Sequence, residues 1–150
     1  MRLEGKVVVV TGGRRAALAA LLLAPLLAAV AARAQPVGDA GAAAAPVMKQ
    51  LEAFRRDDYD LAYTFASESI QGLFDRRAFE RMVKRGYPEI ARSTFALVAA
   101  SERGPDGHVL VRVKVQGVNG HSVEALYDMV QEVGGWRING VTTRPDAGLL

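Results

Sequence analysis

The chain contains no cysteine, which excludes disulfide cross-links, thiol nucleophiles and cysteine-ligated metals. It has only two histidines, His108 and His121. Neither sits in a His/Asp/Glu grouping with zinc spacing, and the His121–Glu124 pair lacks further ligands. No metal and no cofactor is therefore expected. Glycine is missing where a dinucleotide site would need it. The opening "GKVVVVTGG" offers a strand at Val7 to Val10 and a turn at Gly12-Gly13, yet no further glycine appears before Gly38. The turn that admits a pyrophosphate to a helix N-terminus is thus incomplete.

Those first thirteen residues resemble the start of short-chain dehydrogenases. That family's active site also carries a Tyr-x-x-x-Lys pair, and none exists here. The fourth residues after Tyr59, Tyr63, Tyr87 and Tyr127 are Tyr63, Ser67, Ala91 and Gln131. The chain also does not alternate strands and helices as a doubly wound fold does.

Charge is absent from Ala16 to Ala32, a run of Ala, Leu and Val interrupted by Pro25. Arg14-Arg15 precedes it and Ala32-Arg33-Ala34 follows, giving a basic, an apolar and a small-x-small segment in the order of an export signal. Residues 1–34 are therefore expected to be a signal peptide, cleaved near Ala34-Gln35 to release a periplasmic or secreted protein. The alternative is a membrane anchor with an uncleaved leader, because 17 apolar residues lie at the short limit for spanning a bilayer. The general and twin-arginine routes both remain open. Without the leader, 14 basic and 15 acidic groups remain. The high pI of the whole chain thus resides mostly in the leader, and nucleic acid is not an expected partner.

Gln35 to Ala45 is rich in Ala and Gly without an apolar period, which predicts a flexible linker. From Pro46 the apolar spacing becomes helical. Val47, Leu51 and Phe54 share one face; Leu61, Ala62 and Phe65 share a second, behind Asp57-Asp58; Phe79, Met82, Val83, Gly86 and Tyr87 share a third, capped by Asp75 and ended by Pro88. "SESIQGLF" reads as a turn between the last two.

From Thr94 the period becomes two. Val109, Val111, Val113 and Val115 share a face, as do Val123, Ala125, Tyr127, Met129 and Val133. Opposed residues of an antiparallel pair lie on one face. A three-residue loop, Val118-Asn119-Gly120, satisfies this by pairing Val115 with Val123 and Val111 with Tyr127. A two-residue loop at Gly134-Gly135 would pair Val133 with Trp136 and Tyr127 with Thr142. A five-residue loop after Arg103 would turn Phe95, Leu97 and Ala99 inward.

Three helices followed by a four-stranded antiparallel meander make an α+β domain over residues 46–144, with a tail at 145–150. "QLEAFRRDDYDLAYTFASESIQGLF", "FERMVKRGYPEI", "LYDMV" and "GWRINGV", over about residues 48–142, resemble the uncharacterised bacterial family "domain of unknown function 4864". That resemblance implies the cone fold of nuclear-transport-factor-2-like proteins, in which helices cover a curved sheet. It implies no assigned activity and no catalytic residues.

A cone leaves a cavity at its open end, the default ligand site. By strand parity His121, Tyr127, Gln131 and Trp136 face inward, and Tyr59, Tyr63 and Tyr87 are placed to close the cavity from the helices. These seven are the candidate ligand-binding residues. A small apolar or aromatic ligand is the expected partner, with a homodimer through the outer face (Leu110, Leu126, Val130) as a second expectation. The competing reading is an isomerase, hydratase or lyase working in the same cavity. A carboxylate or imidazole in the cavity favours the enzyme, whereas an apolar and aromatic lining favours binding.

Overall fold

The computed structural model describes residues 40–146. The predicted leader and its cleavage site, the linker before Ala40 and the end of the tail lie outside the described residues. The domain starts earlier than Pro46: residues 40–42 are helical and Ala43 is buried. An alanine-rich segment is an effective helix former once one face can be buried. α1, Ala44–Arg55, therefore begins inside the segment expected to be a linker.

Among the described residues five helices follow the turn at Ala43 and precede the sheet, where three were expected. α1 buries Val47, Gln50, Leu51 and Phe54, the i, i+3, i+4, i+7 stripe of its sequence. Asp57 follows it with φ of 56°, a left-handed position that aspartate tolerates. Arg92 holds the Asp57 carboxylate at 3.2 Å and 3.3 Å. Asp58 is the N-cap of α2, Tyr59–Thr64, accepting from the Leu61 amide at 3.0 Å. α2 turns Tyr59 and Ala62 inward, so of the expected Leu61, Ala62 and Phe65 stripe only Leu61 falls off the buried face.

The "SESIQGLF" turn is itself a helix, α3, Glu68–Leu73, capped by Ser67. α4, Arg76–Gly86, is capped by Asp75 as expected and buries Phe79 and Val83. Pro88 ends α4 by opening α5, Pro88–Ala91, at a position where its missing N–H costs nothing.

The strands β1 (Ser93–Arg103), β2 (Val109–Gly117), β3 (Ser122–Glu132) and β4 (Gly135–Pro145) form one antiparallel sheet in chain order. The β2–β3 hairpin has the predicted register, Val115 with Val123, Val113 with Ala125 and Val111 with Tyr127. Gly120 takes φ of 82° in its loop.

The other two hairpins depart from expectation through bulges. β1 and β2 are joined by the expected five residues, with Arg103 opposite Val109. A register shift between Val98 and Ala100 then inverts the parity. Val98 and Ala96 therefore meet Val113 and Val115, and Phe95 and Leu97 point outward, 54% and 53% exposed. In the β3–β4 hairpin Glu132 pairs with Gly135, which puts Val133-Gly134 at the tip and leaves Val133 fully exposed. Trp136 pairs with Gln131. A shift at Asn139, between the Met129–Ile138 and Asp128–Gly140 pairs, then sets Tyr127 opposite Val141 rather than Thr142.

The inner sheet face (Val109, Val111, Val113, Val115, Ala125, Tyr127, Met129, Ile138) is buried together with Val47, Leu51, Phe54 and Phe79 from the helices. The Ala66–Ile138 bridge, with Ile138 N–H donating to Phe65 O and Ser67 N–H to Ile138 O, both at 2.8 Å, ties the helical segment to β4. Among the described residues no helix is long and apolar enough to cross a membrane.

Candidate functional site

Helices and sheet do not close completely over Tyr127. A cavity of about 250 Å³ remains, walled by Phe54, Ile70, Phe74, Phe79, Met82, Val83, Ile90 and Ile138, with Gln50, Tyr87 and Tyr127 as its polar side chains. Each wall follows from a local rule. α1 brings Gln50 and Phe54 four residues apart on its buried face, α4 brings Phe79, Met82 and Val83, and the bulge at Asn139 turns Ile138 and Val141 toward the same space.

The three polar groups are in different states. Gln50 Nε2 donates to Ala62 O at 3.0 Å, and the Tyr87 hydroxyl donates to Val141 O at 3.1 Å. The Tyr127 hydroxyl has no hydrogen-bond partner among the described residues, although the residue is only 1% exposed. Burial, reinforced by Tyr87, pushes its pKa well above the ordinary phenol range, so it is a neutral O–H donor at any physiological pH.

Of the seven residues predicted from the sequence, the structure brings only Tyr87 and Tyr127 together in this cavity. Tyr59 is core: it packs on Phe54 at 5.2 Å, with Lys84 5.0 Å from its ring centroid. Burial, partly offset by Lys84, raises its pKa. Tyr63 ties a loop, donating to Phe74 O at 2.7 Å, and stands edge-on to Phe79. Trp136 is buried under Arg103, whose guanidinium lies 5.8 Å from the ring. Gln131 shares the inward face with Trp136 but is exposed, near the end of β3. His121 is an exposed turn residue 3.9 Å from Glu89.

Gln50 was legible yet missed: it stands at i+3 in the Val47, Leu51, Phe54 stripe, where a polar residue requires a buried partner. Ile70 and Phe74 were missed because their segment was read as a turn.

A second polar assembly was also missed. His108 Nδ1–H donates to Asp128 Oδ1 at 2.7 Å, Asn139 Nδ2 donates to Asp128 Oδ2 at 3.0 Å, and Ser67 Oγ donates to Asn139 Oδ1 at 2.9 Å. The hydrogen bond to the Asp128 carboxylate raises the His108 pKa, opposed by partial desolvation and helped by the charges of Asp128 and Asp106. Strand parity alone puts His108 and Asp128 on the outer face, yet it does not show that a loop and a strand 20 residues apart converge. This dyad lies outside the cavity, among Asp106, Gln131 and Glu132. Among the described residues no three His, Asp or Glu side chains group to hold a metal ion.

The chain is similar to a crystal structure of an NTF2-like protein of unknown function from Shewanella baltica OS155. The match has 17% identity and a TM-score of 0.50, and covers 74% of this chain and 98% of that one. At that identity the likeness speaks for the fold alone, an α+β domain with a four-stranded antiparallel sheet. No curated protein matches the sequence. The sequence model of the family described as "Domain of unknown function (DUF4864)" matches residues 39–149, which takes in the helical residues ahead of Pro46 and every helix and strand above. The chain therefore belongs to this family of unknown function, built on an NTF2-like fold.

Proposed function

We propose that the domain is a non-catalytic binding module that holds a small, neutral, largely apolar ligand in the cavity over Tyr127. One observation carries this reading: Tyr127, 1% exposed, lines an apolar cavity, and its buried hydroxyl has no partner among the described residues. A buried hydroxyl left unpaired costs about 1–3 kcal/mol, which a ligand oxygen at that point would relieve. The cavity, about 250 Å³, is below the ~300–1,000 Å³ of sites for drug-sized molecules, so the ligand is small. A carboxylate ligand is disfavoured, because no cation lines the cavity among the described residues.

The competing reading, an isomerase, hydratase or lyase, needs an acid or base that reaches the substrate. The lining supports binding instead: it holds neither carboxylate nor imidazole, and the His108–Asp128 pair opens elsewhere.

The test uses two molecules of one shape, acetophenone and α-methylstyrene, titrated into the protein by calorimetry. The expected result is preferential binding of acetophenone, with the preference abolished in Tyr127→Phe. Equal binding of both by the unaltered protein, or by neither, overturns the reading.

Two further parts of the proposal concern setting. The leader argues for a protein exported and cleaved near Gln35, and a mass beginning at Gln35 in material purified from its own host tests that. The outer sheet face exposes Phe95, Leu97 and Leu110 beside Leu126 and Val130, which supports a homodimer through that face.

A further inference from the structure

α4 carries a feature that the cavity does not use. Arg77, Arg81 and Arg85 stand at i, i+4 and i+8, all exposed on the side opposite Phe79 and Val83. At 1.5 Å rise per residue they form a stripe about 12 Å long, with guanidinium anchor points about 6 Å apart. The other cations of the helix are neutralised: Arg76 pairs with Asp60, and Lys84 with Glu80 at 2.7 Å. Arg77, Arg81 and Arg85 have no ion pair or hydrogen bond among the described residues.

Exposed leucines flank its N-terminal end. Leu73, 75% exposed, lies two residues before the Asp75 cap. Leu61, 39% exposed, follows Asp60, which the ion pair with Arg76 brings to the same end of α4. The aromatic residues of these helices, Tyr59, Tyr63 and Phe79, are packed in or against the core and offer no stacking platform for bases. Three unpaired arginines along α4, with two exposed leucines at its N-terminal end, match the two components of an interfacial lipid contact, cationic attraction to headgroups and apolar insertion at the acyl boundary.

We propose that this face of α4, with Leu61 and Leu73, docks reversibly on an anionic lipid surface. At about fivefold per cation, three arginines favour an anionic over a neutral bilayer on the order of 100-fold at low ionic strength. Salt shortens that attraction to about 8–10 Å near 0.1–0.15 M. The opposite face of the same helix supplies Phe79, Met82 and Val83 to the cavity wall. Docking would thus hold an apolar site against a source of apolar molecules, although the lipid contact stands whether or not the cavity binds a ligand.

The test is co-sedimentation of the full protein with vesicles of phosphatidylcholine containing 30% phosphatidylglycerol, against pure phosphatidylcholine, at 50 and 300 mM NaCl. Duplex DNA serves as a lipid-free polyanion. The expected result is binding to the anionic vesicles at 50 mM NaCl that falls at least tenfold at 300 mM, and at least tenfold in the triple variant Arg77→Gln, Arg81→Gln, Arg85→Gln. Leu73→Ser, in the otherwise unaltered chain, is expected to weaken vesicle binding severalfold, which keeps the test decisive should the triple variant misfold. Retained binding in a folded triple variant, equal binding to neutral vesicles, DNA binding as strong as vesicle binding, or no vesicle binding each overturns the proposal.

Discussion

Tyr127→Phe removes one oxygen from the centre of the domain, and its expected sign is opposite to that of most core substitutions. Tyr127 is 1% exposed, its ring is held between Val111 and Val141 on neighbouring strands, and its hydroxyl has no partner among the described residues. Phenylalanine keeps the ring and its contacts, so no cavity term arises beyond the small space of the lost oxygen. What changes is desolvation. In the unfolded chain the hydroxyl is hydrated; in the folded chain it gives up water for nothing, at about 1–3 kcal/mol. Allowing for partial hydration through the cavity, the variant without ligand should be more stable by about 1 kcal/mol. For a domain of this size that raises Tm by about 3–6 °C. Urea denaturation with constant m, together with calorimetric melting, checks the value. A loss of 1 kcal/mol or more would refute the reasoning, because it would mean that the hydroxyl is already satisfied, by an ordered water or by a neighbour that moves. Saturating acetophenone should reverse the order of the two proteins, since only tyrosine donates to the carbonyl.

Other substitutions probe the network and the surface. Asp128→Asn removes the main cause of the raised His108 pKa. A His pKa raised on folding stabilises fully below the unfolded value near 6.5, and the contribution is lost as pH rises through the folded pKa. The variant should therefore be destabilised more at pH 5.5 than at pH 9; NMR should show the His108 midpoint falling, and an unmoved His108 midpoint counts against the dyad. Ser67→Ala removes the cap of α3 and the donor to Asn139, which should lower stability by about 1–2 kcal/mol in urea, with Thr rescuing most of it; an unchanged midpoint would discount the cap. Phe95→Asp with Leu97→Asp should convert a dimer to a monomer in native mass spectrometry with little change in Tm, whereas an unaltered protein that is monomeric at tens of micromolar would remove the outer-face interface.

The contrast between the hairpins shows which structural information is local. Strands β2 and β3 each alternate without interruption, so only one loop length brings valines opposite valines, and the register could be read directly. In β1 the alternation is nearly uninformative, since Phe95, Ala96, Leu97, Val98, Ala99 and Ala100 are all apolar. A bulge at Ala99 then selects the face, and a bulge is chosen by how the strand must bend over the helices. In the β3–β4 turn, Val133, Gly134 and Gly135 admit two placements a residue apart. The observed one exposes Val133, because the bulge at Asn139 restores the inward parity of Ile138 and Val141.

The candidate site divides in the same way. Gln50, Phe54 and Tyr127 lie on stripes set by helix and strand periods and could be found by counting. That the Tyr127 hydroxyl lacks a partner while Tyr87 has one depends on the placement of β4 relative to α4. That His108 finds Asp128 depends on how the five-residue loop folds at the end of the two central strands.

The sequence by itself determined the α+β class, three of the helices, the order of the four strands, the cap at Asp75 and the inner faces of β2 and β3. Each of these rests on interactions within a few residues or on a periodicity of the chain itself. Only the tertiary structure decided the start of the domain, the outward face of β1, the register of β4, the cavity over Tyr127 and the Ser67–Asn139–Asp128–His108 chain. These depend on bulges and on packing between segments far apart in sequence, where the free-energy differences between alternatives are collective and no single residue announces them.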